Sequence, residues 1–219
     1  MLGENMRSII VATFIFILSA WAFAADGDVG SQAESQEQCL SQSERERLLN
    51  LDENAFDQDL SGSGWRGIAG KTGCKIAAAN LIRDYRKRHG LKKAIIFWHE
   101  GQVRAMGNDY ISAIKLFEKA KKPQKQNIAG WNEYVEASIA FLKRNRHELV
   151  LARQALSTVK APSEFDVQDG VFEIPNNSGK PFKMRWPPNI DVVDGLINCF
   201  EESYRYAYGD PACKPAPPD

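Results

Sequence analysis

From position 74 onward the apolar residues recur with the period of a helix. Ile76, Ala78, Ala79, Leu81, Ile82 and Tyr85 form one stripe that ends at Arg88-His89-Gly90. Spacings of three and four place such residues on one face of an α-helix, and glycine is the expected stop. The same rhythm predicts helices over 92–106, broken at Gly107-Asn108, over 109–121, closed by Pro123, over 128–143 and over 147–158. The connections are so short that sequential helices must fold back and pack antiparallel. A shorter helix over 43–51 has Ser43 as its candidate cap with Glu46 three residues on. The run Ser61-Gly62-Ser63-Gly64-Trp65-Arg66-Gly67 reads as a loop whose Trp65 plugs the first helix pair.

After Ala161-Pro162 the period changes to two. Val171-Phe172-Glu173-Ile174 and Phe182-Lys183-Met184-Arg185 alternate around Asn176-Asn177-Ser178-Gly179, which predicts a β-hairpin. Ile174 should pair with Phe182, Phe172 with Met184 and Glu173 with Lys183. A lone hairpin is marginal in water, so its apolar face should lie on the helices. A last stripe of Val193, Leu196, Ile197, Phe200, Tyr204 and Ala207 predicts one helix over 189–208, capped by Asn189 or Asp191, that closes the open end of a helical array. The proline-rich tail, 209–219, cannot continue it. The expected fold is therefore mainly α: helical hairpins over 43–160, a β-hairpin insertion over 161–188 and a capping helix.

The chain start changes the compartment. Arg7 precedes an apolar run from Ile9 that closes on Ala22-Phe23-Ala24, the pattern of a secretory signal peptide over 1–24. Glu4 is unusual in such a segment, which leaves Met6 as an alternative start to Met1. The apolar run falls short of the roughly 20 residues that span a bilayer, so no stable membrane anchor is expected after cleavage near Ala24. Export to a periplasmic or extracellular space follows, with a polar leader over 25–42 that reads as disordered. In an oxidising compartment Cys39, Cys74, Cys199 and Cys213 are expected to pair. Of the possible connectivities, Cys39 with Cys74 and Cys199 with Cys213 is favoured, because each bridge pins a terminal segment to the helix nearest in sequence. Asn176-Asn177-Ser178 is a glycosylation acceptor in a host with that machinery.

Charge narrows the partners. Lys plus Arg and Asp plus Glu number 28 each, which argues against bulk electrostatic capture of nucleic acid. Locally, 34–59 is mostly acidic, whereas Arg83, Arg86, Lys87, Arg88, Lys92 and Lys93 form a basic cluster, either a solvated face or a contact for an anionic surface. His99-Glu100 opens like half of a helical zinc site, but Val103 stands where the second histidine is needed. There is no GxSxG and no glycine-rich phosphate loop, and Asp191 and Asp194 suit a helix N-terminus. Neither a metal, a cofactor nor a catalytic set is expected. A hydrolase of envelope polymers, built on His99 with Glu100 or Glu133, is the weaker alternative.

Phe97, Gly101, Tyr110, Ala113, Phe117 and Ala120 follow the spacing F-x3-G-x8-Y-x2-A-x3-F-x2-A, and Trp131 stands 34 residues after Phe97. Over 91–159 the chain resembles the tetratricopeptide repeat family. Trp131, Tyr134, Ile139, Ala152, Ala155 and Leu156 form a degenerate second copy, and Glu100 and Arg104 depart from the Leu and Tyr the family prefers. The resemblance implies close approach of helices at Gly101 and Ala113, with Phe97 and Phe117 in the core. It also implies a concave groove that binds a protein or peptide segment, shown by Trp98, His99, Gln102 and Met106 in the first copy and Asn132, Glu133 and Glu136 in the second. The expected function is a non-catalytic exported binding module, with an inhibitor or immunity-type protein against a toxin or enzyme as a variant.

Overall fold

The computed structural model describes residues 38–174 and 181–218. The signal segment, the leader up to residue 37 and the Asn176 acceptor lie outside the described residues.

The first helix, α1 (Gln42–Leu49), starts slightly earlier than its pattern predicts. Ser41, not Ser43, is the cap: its hydroxyl accepts the Glu44 N–H at 3.2 Å. The chain then makes a π-helical turn, Asn54–Gln58, and a short helix, α2 (Trp65–Gly70). The glycine-rich stretch is therefore only half loop. A Cβ on Gly64 would collide with the Phe56 carbonyl oxygen, so glycine lets α2 begin directly against the π-helical turn.

The helices α3 (Lys75–Arg88), α4 (Ala94–Met106), α5 (Tyr110–Ala120), α6 (Trp131–Leu142) and α7 (Arg146–Ser157) lie within a turn of their predicted spans. Local chemistry sets the boundaries. Asp109 caps α5 by accepting the Ser112 N–H, and Asn145 caps α7 by accepting that of Glu148. Neighbours in sequence pack together: α3 on α4, α4 on α5 and α6 on α7. At the close approach predicted for Gly101, a Cβ would stand 2.8 Å from the Phe117 ring.

The hairpin has the predicted register. In β1 (Val171–Ile174) and β2 (Phe182–Arg185), Phe172 faces Met184, Glu173 faces Lys183 and Ile174 faces Phe182. It does not lie on the helices as expected: Phe172 is buried against Phe165 and Trp186, from the segments flanking the hairpin, while Ile174 and Phe182 are exposed.

The predicted single closing helix is two, α8 (Ile190–Asn198) and α9 (Tyr204–Gly209). Ser203 caps α9 by accepting the Tyr206 N–H, and distant groups complete the break. Arg144 donates to the carbonyls of Phe200 and Glu202, and the Tyr204 N–H, which a continuous helix would aim at Phe200, goes instead to the Tyr110 hydroxyl at 3.1 Å. Asn189 holds the N-cap position of α8 in a left-handed conformation, but its side chain makes no cap bond; Asp191 pairs with Arg185.

Both disulfides connect as favoured, Cys39 with Cys74 and Cys199 with Cys213. Two apolar clusters result. One gathers Leu48, Phe56, Trp65, Leu81, Ile82 and Tyr85; the other gathers Phe117, Tyr134, Phe141, Leu196 and Tyr204. Helix α4 serves both, giving Ile96 and Val103 to the first and Trp98 and Ala105 to the second.

Candidate functional site

The residues expected to show in a groove are largely occupied inside the molecule. Trp98 is 4% exposed, stacks on Phe117 with ring centroids 4.4 Å apart and meets Trp131 and Tyr134, so it belongs to the core. Phe97, expected in the core, is half-buried and packs against the edge of the second apolar cluster. His99 turns inward, with Nδ1 2.8 Å from Oδ1 of Asp57. That carboxylate, 1% exposed, also accepts the Trp65 indole N–H at 2.9 Å and the Gln58 amide at 2.6 Å. Arg66 donates to the Asp57 carbonyl and lies 4.2 Å from the Trp65 ring centroid. Burial pushes the Asp57 carboxyl up, but the hydrogen bond and charge of His99, with help from Trp65 and Arg66, hold it below an aspartate's ordinary 3.8.

On α6, Asn132 accepts the Lys122 N–H and donates to the Lys122 carbonyl, each at 2.8 Å, which clamps the preceding loop. Glu133 accepts both bonds of the Asn127 amide. Gln102 and Met106 are half-buried, and only Glu136 is exposed, 3.6 Å from Lys121. The predicted groove face is thus spent on holding the fold.

Glu100 and Arg104, the departures from the repeat pattern, explain themselves as a buried relay. The Arg86 Nε and Nη2 donate to Glu100 Oε2 at 3.1 and 3.0 Å. Arg104 reaches Glu100 Oε1 at 3.4 Å, Asp109 at 3.0 Å and Asn80 at 3.1 Å. The residues are nearly dry, Glu100 at 2% and Arg104 at 8% exposure. Each buried charge therefore has an opposite charge and hydrogen bonds, the condition under which burial is tolerated.

The rest of the basic cluster divides. Arg83 pairs with Asp84 at 2.9 Å, Arg88 with Glu46 at 2.9 Å and Lys93 with Glu53 at 2.6 Å. The acidic stretch seen in the sequence thus supplies Glu46 and Glu53 to two of the cluster's cations. Among the described residues, Lys87, Lys92 and Lys119 make no ion pair. With Arg86, Gly90, Leu91 and Phe97 they line an open depression of about 460 Å³ with no carboxylate in its wall. The Arg86 guanidinium stands 4.4 Å from the centroid of Phe97 and the Lys119 ammonium 5.9 Å. Lys119 comes from α5 and was separated from the cluster by sequence; only the packing of α5 on α4 brings it there.

Among the described residues, no group of three or more His, Cys, Asp or Glu side chains is arranged to hold a metal ion. Comparison with family models, with curated proteins and with solved structures finds no match.

Proposed function

We propose that this protein is an exported, non-catalytic binding module that holds a segment of another protein at the corner formed by α3, the 89–93 turn, α4 and α5. One observation carries the reading: in an open depression over Phe97, Lys87, Lys92 and Lys119 make no ion pair within the described residues, in a chain that pairs most neighbouring charges, Arg86 with Glu100 among them. Export is supported by the leader pattern and by both disulfides; no helix among the described residues is long and apolar enough to cross a membrane. We read α4–α5 and α6–α7 as degenerate tetratricopeptide-like hairpins whose groove face has been sealed and whose binding has moved to the corner. An inhibitor or immunity-type role is one form of this reading. The hydrolase alternative draws less support, because Glu100 is enclosed by Arg86 and Arg104 and Glu133 is held by Asn127.

Photo-crosslinking tests it. A benzoylphenylalanine at position 92 should give a discrete protein adduct in the native exported fraction, and the same group at the exposed position 154 on α7 should not. No adduct at 92, or equal capture from both positions, would overturn the proposal.

A further inference from the structure

The composition of this corner also says what kind of segment it takes. We infer that the partner segment is acidic and carries a large apolar side chain, its carboxylates meeting Lys87, Lys92 and Lys119 and its apolar group lying against Leu91 and Phe97. This rests on the corner being a protein docking site.

Three observations converge. First, the free charges are lysines. Arg86, the only arginine in the wall, has Nε and Nη2 committed to Glu100, so the planar fork that grips one phosphate or carboxylate bidentately faces inward. What faces solvent is a set of point charges on flexible stems, suited to several carboxylates at variable spacing. Second, the wall is not only charged. Leu91, the exposed part of Phe97 and the lysine stems supply apolar surface that a purely acidic segment would leave uncovered. Third, the basic area is confined. Asp84, Glu46 and Glu53 pair with Arg83, Arg88 and Lys93, so the positive patch does not extend into the long stripe that a nucleic-acid backbone requires. The open depression, about 460 Å³, is wide enough to seat a few residues. Buried Glu100 acts here as a positioning residue: it fixes Arg86 beside Phe97 and takes up its charge, which leaves the field of the corner to the lysines.

The test is fluorescence anisotropy of the intact mature chain with labelled peptides: an acidic peptide with a central Phe, the same peptide with Gly there, a neutral peptide with Phe, and a basic one. Vesicles containing phosphatidylserine form a further arm. The acidic Phe peptide should bind best, and replacing Phe by Gly should weaken it by about fivefold or more. The exposed pair Lys87→Glu and Lys92→Glu should weaken it by about tenfold or more, as should raised salt. Phe97→Ala should abolish the difference between the Phe and Gly peptides; the lysine variants keep the test valid if that protein fails to fold. Equal binding of all peptides, preference for the neutral or basic one, or binding to vesicles in place of peptides would overturn the inference. If a partner is crosslinked from position 92 through a segment without acidic residues, the inference falls and the docking site stands; if nothing is crosslinked there, both fall.

Discussion

Two constellations of charged and aromatic side chains lie on α4, and they differ in what completes them. The Asp57–His99 cluster is closed: its carboxylate accepts from Trp65, Gln58 and His99, and Arg66 covers the indole. The corner around Phe97 is open, because three lysines reach it and no carboxylate does. An Asp–His pair looks more like chemistry on paper than a few lysines around a phenylalanine. Yet the pair finds its partners within the chain, whereas the lysines of the corner make no ion pair among the described residues, and it is on that difference that the proposed docking site rests.

The comparison can be broken most severely at the closed cluster. Asp57→Ala leaves the Trp65 indole N–H, the Gln58 amide and His99 without their buried acceptor, and should cost about 3–5 kcal/mol in denaturant unfolding. Peptide binding at the corner should survive under conditions where the variant is folded; a loss below about 1 kcal/mol would show that the cluster is not structural. Trp98→Ala should cost a similar amount, about 3–5 kcal/mol, through the cavity left against Phe117 and Tyr134.

Acid should act in the same direction. Asp57, Asp84 and Asp109 all have pKa values lowered below 3.8 in the folded protein: burial raises each, and the bonds from His99, from Arg83 and Arg45, and from Ser112 and Arg104 respectively outweigh it. Their contribution is fully present above the unfolded value and is lost as the pH falls from 3.8 through the lower folded values. Stability measured by urea titration at descending pH should drop across that window, and Asp57→Asn should reduce the slope. The smallest effect belongs to the open corner. Lys92→Ala should change stability by no more than about 0.5 kcal/mol while weakening binding of the acidic peptide. A larger loss of stability would place Lys92 among the structural charges.

Much of the fold was legible before the structure, and the reasons are local. The break at Gly107-Asn108 and the stops at Gly90 and Pro123 bound the helices, and the hairpin register follows from alternation alone; the caps Asp109 and Asn145 are local signs of the same kind, which the expected spans did not use. What was hidden depended on distant partners. At the break of the closing helix only Ser203, which accepts the Tyr206 N–H and caps α9, is a local sign; Arg144 and Tyr110, distant in sequence, complete it. The groove was misplaced for a related reason. The repeat frame set by Phe97 and Gly101 puts Phe97 in the core and Trp98 in the groove, and leaves Glu100 and Arg104 as misfits at positions where the family has Leu and Tyr. Arg86, Asn80 and Asp109 make those positions habitable inside, and the helix settles with Trp98 buried and Phe97 half-buried. His99 could not be matched with Asp57 from a separation of 42 residues.

Helix α4 gives side chains to both apolar clusters, and its Glu100 and Arg104 bind α3 and the start of α5. The two halves therefore share a wall and cannot be lost one after the other: opening either exposes a face of the same helix. Heat or denaturant should meet a single cooperative unit, and the amide hydrogens in the middle of α4 should exchange only when the whole chain unfolds.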